Sequence, residues 1–453
     1  MTTEDGLRRP QRQWALATVM LTLAMSVLDT SATNVALPSI AAALQANPSH
    51  AIWVINAFQL SQVVALLPFA ALGEIHGYRR VYLWGLVLFA AASAACTFAD
   101  SLTTLALART VQGFGSAAVL GVNIALVRHI VPRHMLGRTI GLNSMVVAIA
   151  STVGPSYSGF VLGLASWPWL FALNVPLCLL ALVVGARSLP ETARESRRYD
   201  RGEAALTAAG IGFTVMTLVA IGQGLAWQAV AAFGVLGALS LAAILRRLPR
   251  QPVPMLPLDL LRMPLFGLTV ATSVASFAGQ TVVLTALPFR FHDDFGFSPA
   301  MIGLLMVPWP LALAVMAPVS GHLSDRYPAG WLCGAGLLLL AGGMVALGCL
   351  PDQPGFADIV WRMALCGLGF GLFQTPNNRT LVTAPPPSRG GAASGMLSTA
   401  RLFGQSIGAA LAALMLRLLP DGGSVLAMFV AAGFAICGAV ISVLRVGGAA
   451  KRP

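Results

Sequence analysis

Apolar runs of about twenty residues follow one another along almost the whole of this 453-residue chain, parted only by short loops. Each run is long enough to cross a hydrocarbon core of roughly 30 Å as a helix. Only 10% of residues are charged and 57% are hydrophobic, where soluble domains carry about 25% charged residues. No polar stretch is long enough to fold as a soluble domain, which excludes a cytoplasmic enzyme. The first run is too long for a signal h-region and lacks a small-residue cleavage site, so it is expected to stay as a span. The expected fold is an all-α integral membrane protein of about fourteen transmembrane helices. Their limits lie near 14–40, 51–72, 81–99, 103–127, 138–163, 167–187, 204–223, 227–246, 265–288, 299–321, 331–350, 358–378, 391–416 and 424–445.

The net charge of +12 is distributed by topology. Arginines cluster in alternate loops, among them Arg8, Arg9 and Arg12, Arg79 and Arg80, Arg128 to Arg138, Arg187 to Arg201, Arg246 to Arg262, Arg326, Arg379 and Arg389, and Arg445. The intervening loops hold only Arg290 and Arg417. This positive-inside pattern places both termini in the cytoplasm and gives no reason to expect a nucleic-acid partner. Trp14, Trp53, Trp167, Trp169, Trp227 and Trp361 fall near span ends, as aromatic belts do. The six cysteines lie apart with no CxxC pairing and read as small buried hydrophobes; the histidines form no cluster, and no metal site is expected.

Within the first run, Trp14–Ile40, Asp29 lies about two thirds of the way along. A carboxylate at such depth costs roughly 2.5–3.5 kcal/mol on insertion scales, so it must be shielded by protein or line a wet cavity. Loss of water disfavours its charged form, and a nearby cation restores it. A group balanced in this way can load and release a proton. A carboxylate that only ties two helices together is the plain alternative.

The chain also repeats itself. NVALP (Asn34–Pro38) returns as LTALP (Leu284–Pro288), and GLNS (Gly141–Ser144) as GMLS (Gly395–Ser398), at nearly constant offset. Two similar halves of six spans follow from this, with spans seven and eight as an inserted hairpin closed by the GQG turn Gly222–Gly224. The expected divisions are 1–188 for the first six-helix bundle, 189–250 for the linker and hairpin, and 251–453 for the second bundle.

Five motifs carry a family resemblance. They are LDTSATNVALPSI (Leu28–Ile40), ALGEIHGYRRV (Ala71–Val81), LALARTVQGFGSAA (Leu105–Ala118), AIASTVGPSYSGFVLG (Ala148–Gly163) and WPWLFALNVP (Trp167–Pro176). Together they resemble the major facilitator superfamily, in particular its fourteen-helix drug:proton antiporters. The resemblance implies that Asp29 and Arg109 form a proton-coupling pair. It implies a gating loop of Glu74, Gly77, Arg79 and Arg80, with Asp325 and Arg326 in a degenerate second copy. Gly154, Pro155 and Gly159 match the motif that marks exporters in the superfamily. The chain departs from the pattern at Ala70, Ile75, Tyr78, Ser158 and Pro328.

Helical arithmetic alone puts Arg109, Gln112, Gly113, Ser116 and Asn123 on one stripe of span four. Arg109 cannot shed its charge, so it meets an anion, carbonyls or water, or snorkels to the outer interface. Ala150, Gly154 and Ser158, and separately Gly159 and Gly163, form small-residue faces for close helix contact. Candidate pocket groups are Trp53, Asn56, Gln59 and Gln112 in the first half. In the second half they are Phe277, Gln280, Phe370, Gln374, Asn377 and Asn378, though each amide could simply join helices.

These readings converge on proton-driven efflux of amphipathic, cationic or neutral organic compounds across a bacterial cytoplasmic membrane. No cofactor is expected beyond the coupling proton; the partners are a small-molecule substrate and membrane lipid, and the chain is expected to act as a monomer. A dedicated exporter of an endogenous metabolite, lipid or siderophore, and a non-transporting membrane sensor, are the alternatives.

Overall fold

The computed structural model describes residues 6–46, 51, 53–192, 194, 199–247, 257–297, 299–386, 389–419 and 422–449. Among these the chain is helical, with no strand. The long helices are α1 (Gln11–Ala43), α2 (Trp53–His76), α3 (Tyr78–Thr97), α4 (Leu102–Ile130), α5 (Leu136–Leu164), α6 (Asn174–Ser188) and α7 (Arg201–Gln223). They continue as α8 (Trp227–Arg247), α9 (Pro264–Phe289), α10 (Pro308–Leu323), α11 (Ala329–Gly348), α12 (Phe356–Thr383), α13 (Gly390–Leu418) and α14 (Gly423–Ala449). Thirteen segments of the described residues are long and apolar enough to cross a membrane.

Two spans remain single but are interrupted at one residue each, Leu173 and Val307. A short helix, Trp169–Ala172, precedes α6, and another, Pro299–Met306, precedes α10. Proline explains both breaks. Pro176 has no N–H to offer the carbonyl of Ala172, and Pro308 and Pro310 offer none to Leu304 and Met306. The α7–α8 connection turns at Gly224, whose φ of +68° lies in the left-handed region.

The chain forms two compact units, one of Met1–Thr139, Ile149–Gly212 and Pro386–Ser398, the other of Ile140–Ala148, Phe213–Pro385 and Thr399–Pro453. The division passes through α5, α7 and α13. In the first unit α4 lies along both α2 and α3. Close approach is the reason its glycines are needed: a Cβ at Gly113 would sit 2.5 Å from the Phe58 carbonyl oxygen, and one at Gly115 2.6 Å from the Phe89 nitrogen. In the second unit α12 packs on α10 and α11, and α14 on α9 and α11, around a core that includes Phe277, Trp309, Met344, Phe370 and Phe373.

The two arginines outside the charge pattern are absorbed locally. Arg290 is 5% exposed and donates to the carbonyls of Leu347 (2.6 Å) and Gly348 (3.2 Å) at the C-terminal end of α11, where unpaired carbonyls carry partial negative charge. The Arg417 guanidinium lies against the Gly224 turn. Two smaller expectations fail. Trp167 is buried against Phe171 instead of standing in the belt, and Cys349, just past the end of α11, and Cys437 are exposed.

Candidate functional site

Asp29 and Arg109 meet in the interior of the first unit, 4% and 0% exposed. Arg109 Nη1 donates to Asp29 Oδ2 at 2.5 Å, and the other carboxylate oxygen accepts from Gln112 Nε2 (3.1 Å) and Asn174 Nδ2 (2.8 Å). Arg109 Nη1 also donates to Gln112 Oε1 (2.7 Å) and Nε to the Val54 carbonyl (3.3 Å). The guanidinium carbon stands 4.2 Å from the centre of the Phe58 ring and 5.5 Å from that of Phe171, within cation–π range. Gln112 Nε2 further donates to Ser93 Oγ at 2.9 Å. Side chains of α1, α3, α4 and α6 and a carbonyl of α2 therefore converge on one charge pair.

Burial of this kind decides between two expectations for Arg109: it does not snorkel. Two ions out of water lose several kcal/mol each and are tolerated only with close geometry and satisfied remaining donors and acceptors. Here three donors and no obligatory acceptor face the carboxylate, so the arrangement fits the ion pair. A protonated Asp29 would need an acceptor for its O–H that none of these three nitrogens supplies.

Asn174 and Ser93 escaped the reading of the sequence. Asn174 sits in a motif that signals family more than chemistry, and Ser93 is one small hydroxyl in an alanine-rich run. One helical turn from the pair lies a second polar layer: Ser26 Oγ and Ser116 Oγ are 2.6 Å apart, and Gln62 Nε2 donates to Ser116 Oγ at 2.7 Å.

The expected gating loop is a single residue. Gly77 (φ +94°) alone joins α2 to α3, and the Tyr78 N–H donates to Thr192 Oγ1 at 3.0 Å. Arg79 pairs with Glu191 (3.2 Å) and donates to the Ala186 carbonyl, while Arg80 is exposed. Glu74 is 2% exposed and accepts from the Ala392 N–H at 2.7 Å, in the first turn of α13. In the second copy Asp325 and Arg326 do not meet the same partner. Asp325 pairs with Arg379 at 2.5 Å, which also donates to the Ser324 carbonyl, and Arg326 is exposed. Adjacent residues at the end of α10 diverge around the helix, whereas the last turns of α12 bring Arg379 within reach.

The small-residue motif of α5 is packed on one face only. A Cβ at Gly154 would lie 2.4 Å from the Ser31 Cβ, and Ser158 Oγ donates to the Ala32 carbonyl at 3.0 Å, so α5 presses on α1 next to Asp29. Gly159 and Gly163 meet no described atom within 4 Å, which removes the second expected packing face. The helix runs on through position 155, but the Pro155 side chain is outside the described residues.

The pocket candidates scatter. In the first unit Trp53 (40%) and Gln59 are exposed, Asn56 is half-buried with its Nδ2 unpartnered among the described residues, and Gln112 is held by Asp29. In the second, Phe277 packs edge-on against Phe370 at 5.4 Å, and Asn377 is held by Ser273 (2.7 Å) and Arg445 (2.9 Å). Those three are core residues of the bundle, because the aromatic and amide face of α12 turns toward α9 and α14. Gln280 and Asn378 are half-buried, and Gln374 keeps an unpartnered Oε1 among the described residues.

Residues 19–409 and 265–452 match the sequence family described as the Major Facilitator Superfamily. The chain is similar to the uncharacterized transporter YebQ of Escherichia coli K12, 46% identical over 444 residues that make up 98% of this chain and 97% of that one. It is similar to the multidrug resistance protein Stp of Mycobacterium tuberculosis (strain CDC 1551 / Oshkosh), 31% identical over 392 residues, 86% of this chain and 73% of that one. Among solved structures it resembles the human organic anion transporter MFSD10 (TETRAN) in fold. The TM-score is 0.71 at 15% identity, over 96% of this chain and 100% of that chain.

Proposed function

The chain belongs to the major facilitator superfamily of multi-pass membrane transporters, and from that premise we propose that it exports amphipathic, cationic or neutral organic compounds in exchange for protons. The observation that carries this reading is the Asp29–Arg109 pair, enclosed by Gln112 and Asn174 within membrane-spanning helices. An ionisable residue inside a membrane span is a functional-site hypothesis by default. Similarity to Stp supports drugs as cargo, and the Gly154 contact between α5 and α1 supports the exporter motif. We place the chain in the fourteen-helix branch, α7 and α8 being the inserted hairpin, in a bacterial cytoplasmic membrane with both termini in the cytoplasm.

In the proposed cycle Asp29 takes a proton on the outer side, lets go of Arg109, and releases the proton inward as cargo binds. One buried negative charge accommodates either a proton or a cation. Moving a charge is worth about 2.3 kcal/mol per 100 mV, but one-for-one exchange with a monocation is electroneutral and draws on the pH gradient alone. The test is transport of ethidium by the full chain in proteoliposomes under an imposed pH gradient. Wild type should accumulate the dye and Asp29→Asn should not; equal accumulation by the two would end the proposal.

A further inference from the structure

We propose that the proton of Asp29 travels toward the N-terminal end of α1 along a row of buried hydroxyls inside the first unit, through Ser116, Ser26, Thr22 and Tyr82. This rests on the proton-exchange reading above and names the route it uses.

Thr18, Thr22, Ser26 and Asp29 follow each other at intervals of four, four and three, which lines them up along one face of α1. All four are at most 7% exposed, and Tyr82 of α3 and Ser116 of α4 are at most 1% exposed. A phenylalanine would fill the place of Tyr82 without bringing a hydroxyl into the interior, where an unpaired one is costly. Instead the phenol meets Thr22 Oγ1 in a short hydrogen bond and reaches the Thr18 carbonyl at 3.4 Å.

The row has two gaps, one between Asp29 and Ser116 and one between Ser26 and Thr22, and a cavity lies in the second. Thr22, Ser26 and Ser116, with Met25, Leu86, Phe89, Val119 and Cys178, line a cavity of about 10 Å³. That is about the least room that holds one water molecule, and three hydroxyls supply the two to four polar partners such a water needs. The hydrogen bonds also run in one direction. Gln62 donates to Ser116, which leaves the Ser116 proton for Ser26 and the Ser26 proton for the cavity. Beyond it, Thr22 Oγ1 donates to the Thr18 and Val19 carbonyls (3.1 Å each) and shares a hydrogen bond with Tyr82 in which either oxygen can donate, so passing a proton to Tyr82 requires Thr22 to turn its O–H from those carbonyls. Asp29 lies one turn further along α1, a rise of about 4.5 Å, and the route requires one water in that gap.

The balance is one proton. Asp29 gives it up and returns to the carboxylate beside Arg109. Each hydroxyl or water accepts a proton on one side and passes one on from the other. Tyr82 is 0% exposed, so the last hop requires water admitted from the start of α3, where Arg79 is part-exposed, to accept its proton. No bond between heavy atoms changes.

The experiment is infrared spectroscopy of the full chain reconstituted in oriented proteoliposomes, with a pH jump on one side at a time. The signal is the carboxylic C=O stretch that disappears in Asp29→Asn. Tyr82→Phe and Thr22→Val should slow its response at least about tenfold when the jump is applied on the side of the α1 N-terminus. That is less than the roughly hundredfold a positioned proton-transfer group commonly supplies. The response to a jump on the opposite side should stay at the wild-type rate, and Thr22→Ser should restore the slowed one. An unchanged rate from the α1 side overturns the route, as does equal slowing from both sides. Should Tyr82→Phe lose its fold, the Thr22→Val and Thr22→Ser pair decides by the same two limits. A wild type without any Asp29-dependent band between pH 5 and 9 would defeat the proton-exchange reading itself, and the route with it.

Discussion

Glu74 of α2 accepts a hydrogen bond from the backbone N–H of Ala392, 318 residues away in sequence, at 2.7 Å. The first turn of α13 leaves its N–H groups unpaired and carries partial positive charge, and a carboxylate there contributes about 0.3–1 kcal/mol, up to ~2 when partly buried. Glu74→Ala should therefore lower the thermal midpoint of the purified chain in detergent more than Glu74→Gln, which retains an acceptor oxygen. The loss for alanine should be about 1–3 kcal/mol, the range for a buried donor left unpaired. Equal midpoints for wild type and both variants would show that the contact carries no weight.

The Asp29–Arg109 pair makes a thermodynamic prediction apart from transport. Asp29→Asn leaves a buried guanidinium without its anion, and Arg109→Gln leaves a buried carboxylate without its cation. Breaking such a pair from one side costs roughly 3–5 kcal/mol. The double variant should be clearly more stable than the sum of the two losses allows. Denaturant unfolding of all four proteins measures this, and additivity within about 0.5 kcal/mol would refute a coupled pair.

Two glycines five residues apart should behave oppositely. At Gly154 a methyl group would collide with Ser31, so Gly154→Ala is expected to destabilise by about 1–3 kcal/mol through overpacking. Gly159 meets no described atom within 4 Å, and Gly159→Ala should stay within about 0.5 kcal/mol of wild type or gain slightly from helix propensity. Detergent melting curves of the two variants check the contrast, and similar losses would contradict the packing described.

Cargo charge follows from the number of acids in the interior. Asp293 and Asp294 lie in a π-turn after α9, where Asp294 faces Arg290 and Ser424, so they do not supplement Asp29. A monovalent or neutral compound should be exported at least about tenfold faster than a matched dication, the effect of some 1.4 kcal/mol on binding. Efflux assays with a matched pair test it; comparable rates would point to a second anionic group.

The pairing of Asp29 with Arg109 was legible through the family resemblance, whereas the chemistry of Arg109 alone left an anion, carbonyls, water or the outer interface open as its partner. The helix limits were legible because apolar length is set by the bilayer. What stayed hidden depended on rotation and depth. Asn174 carries no charge that demands a partner, so nothing in a linear reading singles it out. Arg445 reads as one more cytoplasmic charge, yet it is 4% exposed and donates to Thr269, Asn377 and Ser442. Phe277 and Phe370 look like pocket aromatics by type, but the turn of α12 commits them to the core. A period of 3.6 residues tells which side chains share a face, not which neighbour that face meets.

Because Gly77 is the whole of the link between α2 and α3, those helices have no slack between them. A tilt of one must be transmitted to the other, as through a crank. An added residue there would swing the start of α3 by about 100°, carrying Tyr82 out of line with Thr22 while leaving every apolar run intact. The joint thus ties the timing of any movement at Glu74 to the alignment of groups deep in the same unit, without a contact having to pass between them.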